Sequence, residues 1–543
     1  MRETILALLP VQKMERMFHP KIKRNPAMRK CFLILIGLVL GFSACSAEKI
    51  SADLTVGVES YPGNLDPRYP TDAYSAKVGA LLFNGLLKLD ENLMLAPDLV
   101  DRYEYLSDSK LSFHLRSDVY FHDGQKLTSQ DVLYTIDSLR DPKKKSPLYA
   151  VFQKVKAVNV LDEQNFEIEL KEPFAPFLTA LTVGIIPQGV DETDEPFAKH
   201  PIGTGSFKFD RAQEGQWIRL KANPHYFDGA PELDSLLVRT VRDDTTRVLQ
   251  LLHGQIDLVQ NAVPLVLVEW LRKQSGIQIA GSPGINYVYW AFNLRDPILK
   301  NLKVRQAIAH VIDRESLIQY RQKGFVQRAT GLLAPENAYY EGEVEQFDYD
   351  PALAKRLLDE AGYPDPDGEG PKPRLTLNLK TSTKRDRVAL ARAMASQLQQ
   401  VGIELTVSAY EWGTFFRDIR SGNFQIYSST WVGVTEPDIY YNTFHSSMFP
   451  PQGANRGFYQ NSEVDRLLEQ GRNSTDFNLR KQDYSEVQKI VAHDLPYLSL
   501  WYEDNIVFMR DRVEDYSLRP DASWLGLAKA RVKDSKPIGL VEP

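Results

Sequence analysis

Cysteine is almost missing from this chain: 543 residues contain two, Cys31 and Cys45. No disulfide framework can brace the fold, so stability must come from buried apolar area, which a chain of this length can supply. Paired CxxC motifs are absent, and with them the common zinc and redox sites. HExxH, GxSxG and a Walker-type phosphate loop are absent as well. The nine histidines are scattered without metal-ligand spacing. His114 and His122 fall in a strand and a turn, where structural or surface roles are expected. Gly203-Thr204-Gly205 precedes a strand-like segment rather than a helix, so it reads as a turn and not as a nucleotide loop. With 71 acidic residues, some carboxylates meet by chance, and no Asp/Glu pair singles itself out. The chain reads as a non-enzyme, with no catalytic residue, metal or cofactor assigned.

A long apolar run is lacking too. Cys31 to Phe42 (CFLILIGLVLGF) is apolar but falls short of the about 20 residues that a spanning helix needs. It follows the basic residues Lys21, Lys23, Arg24, Arg29 and Lys30 and precedes Ser43-Ala44-Cys45. A positive end, a short hydrophobic segment and small residues are, in that order, a secretory signal. Met28-Arg29-Lys30 opens a signal of normal length, which leaves residues 1–27 as an over-extended start or an unusually long basic end. Phe42-Ser43-Ala44-Cys45 is similar to a bacterial lipobox, whose cysteine is lipidated and becomes the first mature residue; Phe42 stands where that pattern prefers Leu. Cleavage removes Cys31, so Cys45 would be the one remaining thiol, and lipidation accounts for it. The expectation is a signal peptide over 28–44, lipid on Cys45, and a periplasmic or otherwise extracytoplasmic protein anchored to a bacterial membrane.

Positive charge is scarce outside that leader. Residues 1–45 hold eight Lys/Arg and two Asp/Glu, so the remainder carries 57 basic against 69 acidic residues, a net −12. So acidic a body repels phosphate backbones, and nucleic acid is excluded as a partner. Hydrophobic residues at 43% and charged ones at 25% describe an ordinary globule,. The length calls for two or three packed units.

Strand and helix patterns both occur. Leu111-Ser112-Phe113-His114-Leu115 alternates, as do Phe166, Ile168 and Leu170, and Asp123-Gly124 signals a turn. Gly205–Phe209 and Trp217–Lys221 flank Glu214-Gly215 and suggest a hairpin with a longer loop. The second half brings helices. Asp350-Pro351 pairs a cap with proline at the first helical position; Leu353, Leu357, Leu358 and Ala361 form one face, and Gly362 with Pro364 ends it. Val304, Ala307, Ile308, Val311 and Ile312 make another apolar helix face. Leu375, Leu377 and Leu379, then a helix over about 386–400, then Ile403, Leu405 and Val407 form a β-α-β unit with parallel strands.

Gly63 to Pro67, Leu111 to Gly124, Pro201 to Phe207, Asn223 to Phe227 and Val304 to Arg314, spread along nearly the whole mature chain, together resemble the extracellular solute-binding family 5 of peptide and nickel ABC importers. Gly63-Asn64-Leu65-Asp66-Pro67 is similar to its LDP, and Leu111 to Gly124 (LSFHLRSDVYFHDG) to its most recognisable stretch, preceded by Ala96-Pro97-Asp98-Leu99-Val100 and continued by Leu127 to Val132. Pro201 to Phe207 resembles PxGTGPY, Asn223 to Phe227 NPxYW, and His253 to Asp257 GxID. Val304 to Ile308 with Ile312-Asp313-Arg314 resembles VRQA…IDR; Asn461 to Asp465 and Leu495-Pro496 follow in family order.

The resemblance implies an α/β, two-lobed periplasmic-binding-protein fold with a hinge. Lobe I is expected over 45–284 with a strand-rich subdomain at about 88–200, lobe II over 285–499, and a return to lobe I over 500–543. It implies a solute, peptide or peptide-like, captured between the lobes and delivered to an importer permease, by a monomer. A secreted enzyme on the same fold and a ligand-binding lipoprotein sensor are the alternatives; an enzyme needs a converging nucleophile or metal set.

A cleft for varied peptides needs flat apolar walls and a few fixed polar groups. Tyr287, Tyr289, Trp290, Trp412, Trp431, Tyr440 and Tyr441 are candidates, each of which core packing would also explain. Trp431 resembles the tryptophan of the family's WxGD, where the aspartate pairs with the ligand's α-ammonium. Here Trp431-Val432-Gly433 leads to Val434. A buried ammonium without a counter-charge costs several kcal/mol, so the amine anchor is missing unless Glu436, two residues on, replaces it. Arg456 is placed to pair with a carboxylate, or is a surface loop arginine.

Overall fold

Alternation and helical spacing carry through to the elements they predict. In the computed structural model, which describes residues 50–533 apart from Thr71, 193–195 and Glu369, Leu375–Ser382, the helix Arg385–Gln399 and Ile403–Tyr410 form the β-α-β unit. Leu375 pairs with Ile403 and Leu379 with Val407 in parallel register. Leu375, Leu377 and Leu379 turn into the core, each worth about 1.5–3 kcal/mol of burial,. Asp350 caps Pro351–Glu360, accepting from the Leu353 N–H at 2.8 Å, and Leu302–Val311 is the helix that carries Val304 and Ile308. The hairpin Phe207–Gln213 with Trp217–Ala222 closes more tightly than expected: the Gln216 N–H donates to the Gln213 carbonyl at 3.0 Å. The leader and Cys45 lie outside the described residues.

Eleven strands make one continuous sheet. From one edge run Ile403–Tyr410, Leu375–Ser382 and Ile426–Trp431, mutually parallel, then Ile277–Phe292 and Tyr497–Arg510, antiparallel. Leu258–Gln260, Leu54–Val58 and Ser235–Thr240 continue it, and the hairpin ends it. A separate four-stranded antiparallel sheet runs Val100–Ser107, Lys110–Leu115, Asn165–Leu170, Val155–Val160; Lys110–Leu115 and Asn165–Leu170 alternate between buried and half-buried residues as their sequences do.

Two long strands tie the lobes together. Leu498, Leu500 and Trp501 lie in a core with Leu377, Leu379 and Met394, whereas Val507 and Met509, on the same strand, pack with Leu54, Val56 and Leu236. One strand thus begins in one lobe's core and ends in the other's. Its antiparallel partner Ile277–Phe292 breaks register with it between Ser282 and Asn286 and again between Val288 and Tyr289. Within the first break the backbones approach so closely that a Cβ on Gly284 would collide with the Glu503 carbonyl oxygen. A register break interrupts the ladder of hydrogen bonds and lets the strand bend there. The result is the two-lobed periplasmic-binding-protein architecture.

Candidate ligand-binding cleft

In an open sheet with parallel strands, ligands bind in the crevice beyond the strands' carboxyl ends. Ile426–Trp431 ends on Trp431, and the loop from Val432 to Asp438 leads into the helix Ile439–Phe444. Gly433 sits at φ +65°, which glycine adopts without strain, and its N–H donates to Asn286 Oδ1 on the long strand at 3.1 Å,. Trp431 is half-buried, and its indole N–H has no hydrogen-bond partner among the described residues.

Beside it stands Arg456. Its guanidinium carbon lies 5.5 Å from the Trp431 ring centre and 5.3 Å from that of Phe416, within reach of both π-faces. No carboxylate ion-pairs with it among the described residues, and its Nε is buried without a hydrogen bond. Burial works against its charge, but the oxygens of Tyr427, Tyr289 and Tyr497 more than offset this and raise its pKa. Those three hydroxyls form a chain, Tyr289 to Tyr427 at 3.4 Å and Tyr427 to Tyr497 at 3.3 Å.

The remaining expected residues separate into wall, core and contact. Trp412 is 56% exposed and stacks on Phe416 with ring centres 5.7 Å apart. Tyr287 and Tyr289 are each 1% exposed, stacked on one another at 5.3 Å inside the second lobe, with the Tyr287 hydroxyl 2.7 Å from Ser499 Oγ. Both belong to the core that also holds Tyr427 and Tyr497. Trp290 and Tyr440 are buried too. Val434 is 5% exposed and packs in the same core as Tyr427 and Phe444.

Glu436 does not stand free as a replacement acid. Its Oε1 accepts from Arg480 Nη2 at 2.5 Å and its Oε2 from the Thr179 hydroxyl at 2.7 Å. Two residues on, Asp438 accepts from Arg472 Nη2 at 2.9 Å. Burial nevertheless pushes its carboxyl up to about 6, against the pull of Arg472. Arg472 lies 3.5 Å above the Tyr441 ring and 5.1 Å from Phe174, and its carbonyl accepts from the Ala175 N–H at 2.9 Å. Phe174 lies in the core beside the four-stranded sheet and Thr179 on the adjoining helix Phe177–Ala180, so this group joins two separate cores. Leu93 packs into the second-lobe core.

Asp438, Arg472, Arg480, Thr179 and Phe416 were not singled out from sequence. Two acids flanking Pro437 were visible, but their arginines come 34 and 44 residues later and Thr179 comes 257 residues earlier. No local pattern links them.

Comparison with known proteins agrees with this architecture. The family model for bacterial extracellular solute-binding proteins, family 5 (middle), matches residues 94–449. An oligopeptide-binding protein AppA of Bacillus subtilis (strain 168) is 28% identical over 94% of this chain and 99% of its own. A glutathione-binding protein GsiB of Escherichia coli O157:H7 is 27% identical over 92% and 98%. Among solved structures, NikZ from Campylobacter jejuni in complex with Ni(L-His) superposes with a TM-score of 0.76 at 26% identity, covering 89% of this chain and all of its own. AppA of Bacillus subtilis in complex with a nonapeptide does so at 0.73 and 28%, covering 89% and 99%. The chain belongs to the bacterial extracellular solute-binding proteins, family 5.

Proposed function

We propose that this protein is the substrate-binding component of an ABC importer: it captures a peptide or peptide-like solute between its lobes and delivers it to a membrane permease. The observation that carries this reading is the rim at the end of Ile426–Trp431, where Trp431 and Arg456 each hold a buried N–H with no hydrogen-bond partner among the described residues. Unpartnered donors at a crevice are completed by a ligand or by water. Trp431, Trp412 and Gly433 form the wall; Val434, Tyr287 and Tyr289 shape it from behind; Glu436 closes it against the first lobe.

Lobe I over 45–284, lobe II over 285–499 and a return over 500–543 complete the proposal, with the register breaks of the two long strands serving as hinge. Binding energy is then spent on closure, and the closed form is what the permease reads. Lipid on Cys45 holds a monomer at the membrane's outer side. Relatives named for oligopeptide and glutathione binding support peptide-like cargo, and relatives that are binding proteins favour capture over catalysis. Native mass spectrometry of the purified protein tests the proposal: a co-purified solute released unchanged is expected, and turnover of it would overturn the reading.

A further inference from the structure

We propose that the solute is anchored by a carboxylate on Arg456 and that a free amine is not needed for binding. This rests on the cleft reading above and names the chemistry the cleft accepts.

Lys380 is paired with Asp418 at 2.6 Å, Arg472 with Asp438 at 2.9 Å and Arg480 with Glu436 at 2.5 Å. Arg456, half-buried beside Trp431 and Phe416, has no acid partner among the described residues. An incoming ammonium meets the opposite situation. Val434 is apolar and buried, and Glu436 and Asp438 are already held by arginines. The Arg456 charge is held by tyrosine oxygens and not by an acid, and a planar carboxylate is the group that matches a guanidinium's fork. The partnerless Trp431 indole N–H adds a neutral donor at the same place. Arg420, exposed and 5.9 Å from the Phe416 ring, adds positive charge nearby. The flat faces of Trp431 and Phe416 flank the guanidinium, so the atoms next to the carboxylate rest on aromatic surface. A peptide's terminal carboxylate and a small organic acid share this chemistry.

The test uses defined pools and retention on the purified protein. Tri- to pentapeptide pools are offered as free acids, as C-terminal amides and as N-acetylated free acids, beside a pool of small mono- and dicarboxylates and its methyl esters. Bound species are read by native mass spectrometry. Retention of acids and N-acetylated acids alike, with amides and esters weakened more than tenfold, is expected. Arg456→Gln should lose that retention while its ligand-free unfolding midpoint stays at the wild-type value. Organic acids retained without peptides would remove the peptide reading and leave the anchor standing. Amides or esters retained as well as acids, or Arg456→Gln retaining acids undiminished, would overturn the anchor. Retention of nothing would remove both.

Discussion

Deleting the Thr179 hydroxyl should loosen the lobes without unfolding either one. Under the lobe bounds proposed above Thr179 is on the first lobe and Glu436 on the second, and the Thr179 Oγ1 donates to Glu436 at 2.7 Å. Glu436 keeps Arg480 as a partner within its own lobe at 2.5 Å, so Thr179→Val strands no charge and removes a bond that exists only when the lobes meet. A hydrogen bond to a charged group is worth about 1.5–3 kcal/mol. The site is half-buried, so the lower figure applies, and about 1.5 kcal/mol is roughly a tenfold fall in the closed-to-open ratio. The near absence of cysteine makes the measurement direct, because residues 46–543 contain none. Leu161→Cys and Tyr320→Cys, at positions 61% and 67% exposed, carry one spin label per lobe. Thr179→Val should move the ligand-free distance distribution toward the open population by about that factor, whereas Thr179→Ser, which keeps the hydroxyl, should restore it. An unchanged distribution in Thr179→Val would show that this hydrogen bond does not hold the lobes together.

Other consequences can be checked with single variants. Asp438 has a folded pKa raised to about 6 from an ordinary 3.8, so its contribution is intact below about pH 4 and lost as pH rises through 6. Relative to Asp438→Asn, the wild type should therefore lose on the order of 3 kcal/mol between pH 4 and pH 7, read by urea denaturation at several pH values. Val434→Asp should not create an amine site: the side chain is buried in the second-lobe core, and an unpaired buried charge costs several kcal/mol, visible as a lowered unfolding midpoint. Trp431→Ala should abolish retention of co-purified solute and leave the fold intact, since the ring is only half-buried; undiminished retention would move the site elsewhere. Cys45→Ala should end incorporation of radiolabelled lipid, and continued labelling would refute the anchor.

Sequence by itself determined the elements and the family. Periodicity is local: Leu375, Leu377 and Leu379 must share a face, and Asp350-Pro351 must start a helix, whatever surrounds them. Both are as expected. The order of short motifs along the chain carried the two-lobed fold, and the replacement of an acid by Val434 was legible as a single letter.

Tertiary structure alone decided what the cleft offers. Glu436 read as a replacement acid until Arg480 and Thr179, distant in sequence, occupied both its oxygens. Tyr287 and Tyr289 carried the same aromatic signal as Trp412, yet strand pairing with Tyr497–Arg510 placed them in a buried core while Trp412 faces solvent. Arg456 stood out in sequence as a loop arginine able to pair with a carboxylate. That no acid among the described residues pairs with it, while Arg472 and Arg480 have Asp438 and Glu436, is decided by tertiary structure, because ion pairs form between residues that the chain's linear order does not bring together.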